Sequence, residues 1–574
     1  MQAFVSNKKE YLLFFGIIIL FFALRLPAIH APYHQDEYKW PIIVNPELTE
    51  PGVIPHPPLS EAIYRATRNF FGDENFRVTP LIFSLINLTL IYIIVRRRYG
   101  VGAALWSSLF FALSFFSVLA SLMIDTDGAV LPFFFLLSIL FYDYFSSSTG
   151  NKKFLFGGLL VAALILGMLV KFSFALVIGA LILDFVWNHK EKLNRKNILY
   201  ALSGLISFAV LVALLMFVAQ KLFPGFDLQK IIAYSETFMK GFGSRNFFQS
   251  GIQFVKALFY LSPFLVLSFL ISLLVPRSFS EVGSPYSKDL KLFHLFLALG
   301  LIFYLILFDF SAGALDRYFQ FMIVPLCIIA GVFSAENFLS SSPSLLRRHA
   351  SKIIFLLCVF FVFLTQFLDQ YVPALHPKAE WIDRILSFNW NFLYPFSGGS
   401  GPLTFYVSFI FIALSWILGA VFTGLYLWKK NLQKEIWVAF LILGLFYNAV
   451  FIEEYTFGKI NGYAPALVRD AAEFIKNNSD IKKVVVYNDN GGREIMQTGK
   501  YQKRLYTSPI FDQNQKIETI NNFSGHYLEI DAPPVDPNSI YRKYFDSCKK
   551  IYEARDRYMN AFIYDCQNAP DIKL

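Results

Sequence analysis

Asp36 and Glu37 stand a few residues beyond the apolar run 11–29. A charge beside hydrocarbon is costly, so ionisable residues at a membrane edge are functional candidates by default. A carboxylate there could take a proton from an attacking hydroxyl, or the pair could simply balance Lys39. Arg317, in Leu315-Asp316-Arg317-Tyr318, opens another apolar block. Its permanent charge and forked donors suit a phosphate, unless Asp316 merely neutralises it. Lys171 lies between two apolar blocks, where it could meet an anion or snorkel to headgroups. Asp125 and Asp127 flank Thr126, and carboxylate oxygens in that arrangement could ligate a divalent cation or form a solvated turn. His56, ahead of Pro57-Pro58, could touch phosphate or acceptor, but is cationic only near or below neutrality. Its alternative is an ordinary exposed loop residue.

The elements that position these groups are membrane spans. Of 574 residues 56% are hydrophobic and 16% charged, well below the roughly 25% charged of a soluble domain. The apolar residues come in blocks of the roughly 17–25 residues that cross a hydrocarbon core. Thirteen or so spans are predicted, at 11–29, 78–95, 101–122, 128–145, 154–170, 172–187, 198–221, 253–275, 292–311, 318–335, 353–369, 403–427 and 436–452. Basic residues then fall in alternate loops, among them Arg96-Arg97-Arg98, Lys152/Lys153 and Arg347/Arg348. That alternation accounts for the net charge of +10 by the positive-inside rule rather than by nucleic-acid binding. It puts the N-terminus in the cytoplasm and all five sets of candidate residues on the outer face. The first run exceeds a signal-peptide core and lacks a small-x-small site, so it reads as a retained helix.

Loop 30–77 contains Leu59, Ile63, Ala66 and Phe70 at helical spacing after Pro57-Pro58, which predicts a helix along the outer membrane surface. Another is expected around Ile231 to Met239. From about residue 456 the composition changes. A helix over 465–477, a strand over 482–487, a turn at 488–492, a helix over 493–499 and strands at 527–530 and 561–564 predict a small extracytoplasmic α/β domain. The chain thus divides into a membrane domain, 1–455, and a domain of 456–574. GxGxxG is absent, so Gly491-Gly492 is no dinucleotide fingerprint. Cys327 and Cys358 read as packing residues; whether Cys548 and Cys566 form a disulfide is open on sequence alone.

These motifs together resemble the GT-C superfamily of integral membrane glycosyltransferases, in the branch of protein O-mannosyltransferases and aminoarabinose transferases. The resemblance rests on Asp36-Glu37 after the first span, His56-Pro57-Pro58-Leu59, Ile124-Asp125-Thr126-Asp127-Gly128, Lys171 after Gly167-Met168-Leu169-Val170, and Arg317-Tyr318 before Pro325. It implies a GT-C-like membrane fold and transfer of a sugar from a polyprenyl-phosphate donor to a protein, lipid or glycan hydroxyl on the outer face. Asp36 then matches the catalytic carboxylate, with Glu37 in support. Arg317, Lys171 and His56 map onto the donor-phosphate residues, His56 standing where some relatives carry lysine. No WWDxG motif is present, which disfavours an N-glycosylation oligosaccharyltransferase. No cofactor is specified beyond a candidate divalent ion at Asp125 and Asp127. The rival classes are a lipid-linked-sugar flippase, which usually has midplane charges and internal repeats, and a non-catalytic envelope protein of the same fold.

Overall fold

The computed structural model describes residues 2–34, 37, 39–44, 56–192, 195–223, 226–236, 246–275, 290–307, 316–339, 349–374, 378–397, 402–487, 490–505 and 513–571. Asp36 lies outside the described residues, as do residues 237–239 of the second predicted surface helix and Asn488-Asp489 of the predicted turn. A helix is present at Leu228–Glu236.

The chain begins with α1 (Gln2–Ala23) and reaches α2 (Pro58–Phe71), the predicted surface helix, with Pro57 and Pro58 at its start. α3 (Val78–Tyr99) crosses next and ends on Arg96, Arg97 and Arg98. α4 (Val101–Leu113) and α5 (Phe115–Leu122) form one predicted span broken by a 64° bend. α6 (Val130–Ser147) and α7 (Gly150–Val170) complete a hairpin. Among the described residues eight helices are long and apolar enough to cross a membrane, or ten if each of two bent pairs is one span. The remaining predicted spans, 172–187, 292–311 and 353–369, are shorter apolar helices: Phe172–Asn188, Lys291–Leu307 and Lys352–Phe367.

α8 (Ile323–Leu339) is the central helix. It crosses α4 closely because Gly331 has no side chain: a Cβ there would overlap Ser107. Small residues at such crossings let helix backbones approach where hydrocarbon gives little drive for association. The peripheral α7 instead leaves Phe154, Leu155 and Val161 exposed, an outward apolar face suited to lipid.

The long connection 370–402, unassigned from sequence, carries helix Lys378–Leu386 and β1 (Leu393–Phe396), which pairs antiparallel with β2 (Phe405–Ser408). α9 (Gln433–Thr456) leads out of the membrane body, and α10 (Ala464–Asn477) opens the C-terminal domain. There β3 (Val484–Tyr487) is followed by α11 (Gly492–Gln497), β4 (Tyr501–Leu505) and β5 (His526–Asp531). α12 (Ile540–Ser547), β6 (Lys549–Asp556) and β7 (Met559–Asp565) end it. The sheet order is β4-β3-β5-β7-β6. β3 runs parallel to both neighbours, and β7 pairs antiparallel with β5 and β6.

β3 is apolar at every position because both faces of the sheet are covered. Val484 and Val486 pack with Leu467, Val468 and Ile475 of α10. Val485 and Tyr487 pack on the other face with Tyr541 and Phe545 of α12. A disulfide joins Cys548, after α12, to Cys566, after β7.

Candidate active site

The helix breaks build the site. At the α4–α5 bend the last carbonyls of α4 lose their helical partners. Arg25, fully buried, supplies replacements: its guanidinium donates to the carbonyls of Phe111 and Ala112 and to the hydroxyls of Ser117 and Ser121. Asn448 of α9 accepts the N–H of Phe115 at 2.9 Å, fixing the start of α5. α5 then delivers the corner Asp125-Thr126-Asp127-Gly128. Gly128 packs so closely on Ala120 and Gln320 that a Cβ there would overlap both.

Both carboxylates of that corner meet cations. Arg317 donates to Asp125 at 2.6 Å, and Lys171 donates to both oxygens of Asp127 at 2.7 and 2.6 Å. Asp125 thus pairs with Arg317 across the fold, while the Asp316 side chain lies outside the described residues. The two cations share one ring: Lys171 Nζ lies 4.4 Å and the Arg317 guanidinium 5.1 Å from the centre of Tyr318. Such placement over a phenol adds attraction to the ring quadrupole. Burial lowers the Lys171 ammonium, but the carboxylate of Asp127 more than offsets this and holds it above its ordinary value. Among the described residues no three His, Cys, Asp or Glu side chains gather as metal ligands. The candidate metal ligands Asp125 and Asp127 instead face Arg317 and Lys171.

Glu37 is locked in place. Arg77 grips its two oxygens at 2.6 and 2.8 Å, and the backbone N–H groups of Ile124 and His34 donate to it at 3.1 and 2.9 Å. Glu37 therefore ties the acidic segment to the Asp125 corner. Arg77 was missed in the sequence, although it carried the same signal as Lys171: a cation at the poorly charged end of a predicted span.

α2 also differs from its sequence reading in what its faces do. The apolar stripe is only half-used: Leu59 and Ile63 pack against the main core, whereas Ala66 and Phe70 are exposed, Phe70 by 81%. The buried face carries hydroxyls. Ser60 donates to the carbonyl of Val170, next to Lys171, at 2.8 Å, and Tyr64 donates to the carbonyl of Asp125 at 2.9 Å. One turn on, the hydroxyls of Thr67 and Thr79 bond to each other. α2 thus braces both cation–carboxylate pairs. His56, at its start, is buried and stacks on Trp40, which stacks on Tyr64. His56 joins the site through these rings; the ion-pair cluster itself is built from Asp125, Asp127, Lys171 and Arg317.

A crevice lies beside Glu37 and Arg77, closed by Met123 from the membrane body, Thr404 from the β1–β2 hairpin, and Tyr455 and Tyr463 on the approach to the C-terminal domain. The ion pairs and the crevice therefore occupy the end of the bundle that bears the domain.

With this geometry in hand, relatives can be compared. A family model described as dolichyl-phosphate-mannose-protein mannosyltransferase matches residues 55–217, the stretch holding α2, the Asp125 corner and Lys171. The crystal structure of ArnT from Cupriavidus metallidurans bound to undecaprenyl phosphate has the same fold. Its TM-score is 0.57 at 13% identity, covering 97% of this chain and 98% of that one. The apo form of ArnT from the same organism gives 0.56 at 12% identity, covering 98% and 99%. The chain shares the fold of these glycosyltransferase structures over nearly its whole length. No curated protein matches it by sequence. It has the predicted class of architecture, a body of apolar helices with a small C-terminal sheet domain.

Proposed function

We propose that this protein is a GT-C glycosyltransferase that transfers a sugar from a polyprenyl-phosphate donor to an acceptor hydroxyl, with inversion, at the extracytoplasmic face. The observation that carries the reading is the pair of cations, the buried Arg317 and the largely buried Lys171, converging on Tyr318 at the end of the bundle bearing the domain. The described relatives support the donor class, one by a family name containing dolichyl-phosphate-mannose and one by its complex with undecaprenyl phosphate.

The chemistry follows from charge. A sugar phosphodiester carries one negative charge, and the departing polyprenyl phosphate gains a second as the glycosidic bond breaks. Cations already fixed in a desolvated site favour that second charge more than the first, so they stabilise the transition state selectively. Asp36 acts as base, taking the proton of the acceptor hydroxyl as its oxygen attacks the anomeric carbon. Glu37, held by Arg77, fixes the segment carrying Asp36. His56 supports the donor side through Trp40 and Tyr64, while Asp125 and Asp127 hold Arg317 and Lys171 in place. A single displacement inverts the anomeric centre.

The test is transfer from a radiolabelled polyprenyl-phosphate sugar in membranes, with and without chelator. Asp36→Asn is expected to lower the rate by about 100-fold or more, the usual range for loss of a general base. Full activity in Asp36→Asn sinks the assignment.

A further inference from the structure

The C-terminal domain reaches the segment that carries the acidic pair. α11 is short and buried on one side, and four of the five side chains from Arg493 to Gln497, all but Ile495, meet the membrane body. Glu494 accepts the backbone N–H of Tyr33 at 3.2 Å. Arg493 donates to the carbonyl of Asp73 at 3.4 Å, and Gln497 donates to both carboxylate oxygens of Glu74 at 2.8 and 3.0 Å. Met496 packs against the cluster containing Tyr33, Trp40 and Tyr64.

Tyr33 is the junction of these contacts. Its hydroxyl donates to the carbonyl of Glu74 at 2.9 Å and accepts the N–H of Phe76 at 3.2 Å. Its ring is approached by two guanidinium groups, that of Arg77 in the membrane body at 5.2 Å and that of Arg493 in the domain at 5.6 Å. Four residues on, Glu37 is gripped by Arg77. The segment is therefore held at both ends, by the domain at Tyr33 and by the bundle at Glu37, with Asp36 in between in the sequence. Glu494 makes a poor stabiliser by itself. Its Oε2 is buried with no hydrogen-bond partner among the described residues, and an unsatisfied buried oxygen costs more than one hydrogen bond returns.

We propose that Glu494 is a positioning residue of the active site, through which the C-terminal domain fixes segment 33–37 for catalysis. This rests on Asp36 being the base. It makes the domain a part of the catalytic unit. The donor cations are anchored separately, by Asp125 and Asp127 in the membrane body, so loss of Glu494 is felt in turnover and not in donor affinity.

The experiment uses the full chain in detergent, with two readouts. Amide hydrogen exchange of the peptide covering 30–40 does not depend on any activity. Glu494→Ala is expected to raise exchange there and leave α6 protected, which also shows that the variant is folded. In labelled-donor transfer, Glu494→Ala is expected to lower kcat by about tenfold, within the range for small misplacement of a catalytic group, with donor KM unchanged. Glu494→Gln, whose amide oxygen can accept the same N–H, is expected to restore both. Unchanged exchange in Glu494→Ala, or a rise in KM with kcat intact, overturns the proposal, as does equal loss in the alanine and glutamine variants. If wild-type protein transfers from no polyprenyl-phosphate donor, the proposed activity falls, and the exchange result alone decides whether the domain fixes this segment.

Discussion

Both ends of the helical bundle bury an arginine against an aspartate, yet the two arrangements differ. At the basic end Arg98 forks onto Asp143 with both bonds at 2.7 Å and side chains 3% and 1% exposed. Each residue belongs to an unbroken helix, Arg98 to the last turn of α3 and Asp143 to α6, so the pair staples two neighbouring spans. At the end bearing the domain, Asp125 and Asp127 come from the corner after α5 and Lys171 from the end of α7. Arg317 comes from a short helical turn ahead of α8. Two pairs share one tyrosine ring there. The same ion-pair chemistry fixes helices when supplied from unbroken helices, and gathers into a site when supplied from breaks.

The largest test of this contrast replaces one arginine at each end. Arg317→Leu is expected to cut transfer by about 100-fold or more, as for removal of a preorganised transition-state donor. Arg98→Leu is expected to keep its rate per folded molecule while losing about 3–5 kcal/mol of stability, the cost of stranding a buried charge. Transfer measured against monodisperse protein, with thermal unfolding in parallel, separates them. Parallel loss of transfer in both variants breaks the comparison.

A smaller effect isolates Lys171. Lys171→Met strands Asp127, so both stability and donor binding should fall. Adding Asp127→Asn should recover most of the stability, but leave donor KM raised by about tenfold, some 1.4 kcal/mol of binding. Recovery of donor KM in the double variant would make the pair structural.

The smallest effect concerns a buried carboxylate outside the bundle. Glu529 of β5 accepts from Tyr564 at 3.0 Å and Arg542 at 3.3 Å, but burial still pushes its carboxyl up to about 7. The folded domain therefore holds a proton there that the unfolded chain has released above its ordinary value of 4.5. Its stability contribution is greatest below that value and is lost as pH rises toward 7. The domain should unfold a few degrees lower at about pH 8 than at about pH 5.5, on the usual scale relating free energy to melting temperature. Glu529→Gln should flatten the difference, as followed by scanning fluorimetry of the full chain.

Much of this was legible in the sequence because membrane proteins confine charge so strongly. Lys171 was out of pattern at a span end, and topology placed it on the same face as Asp125, Asp127 and Arg317 before any contact was known. Their pairing was not legible, because it depends on how the α4–α5 bend turns the corner toward α8. The hydroxyl face of α2 was hidden behind its apolar stripe: Ser60, Tyr64 and Thr67 repeat at helical spacing, but hydropathy registers only Leu59, Ile63, Ala66 and Phe70. In the C-terminal domain, β3 announced itself through its unbroken valines. β4, reading Tyr-Gln-Lys-Arg-Leu at the sheet edge, carries no such signal, since an edge strand needs one covered face and benefits from charge on the other. Glu494 and Tyr33 are 461 residues apart, and no local pattern could join them.

The bend held by Arg25 has a consequence for biogenesis. Every acceptor that satisfies this guanidinium outside its own helix lies at or beyond Phe111, at least 86 residues later in the chain. A nascent chain that has delivered only its first span must therefore present an arginine to the translocation machinery with no partner yet synthesised, at roughly 2.5–3.5 kcal/mol if it sits at mid-membrane depth. The first helix then finishes its placement only after the broken span has emerged. A chain truncated near residue 100 should hold that helix less firmly than one truncated near residue 150, a difference readable by carbonate extraction.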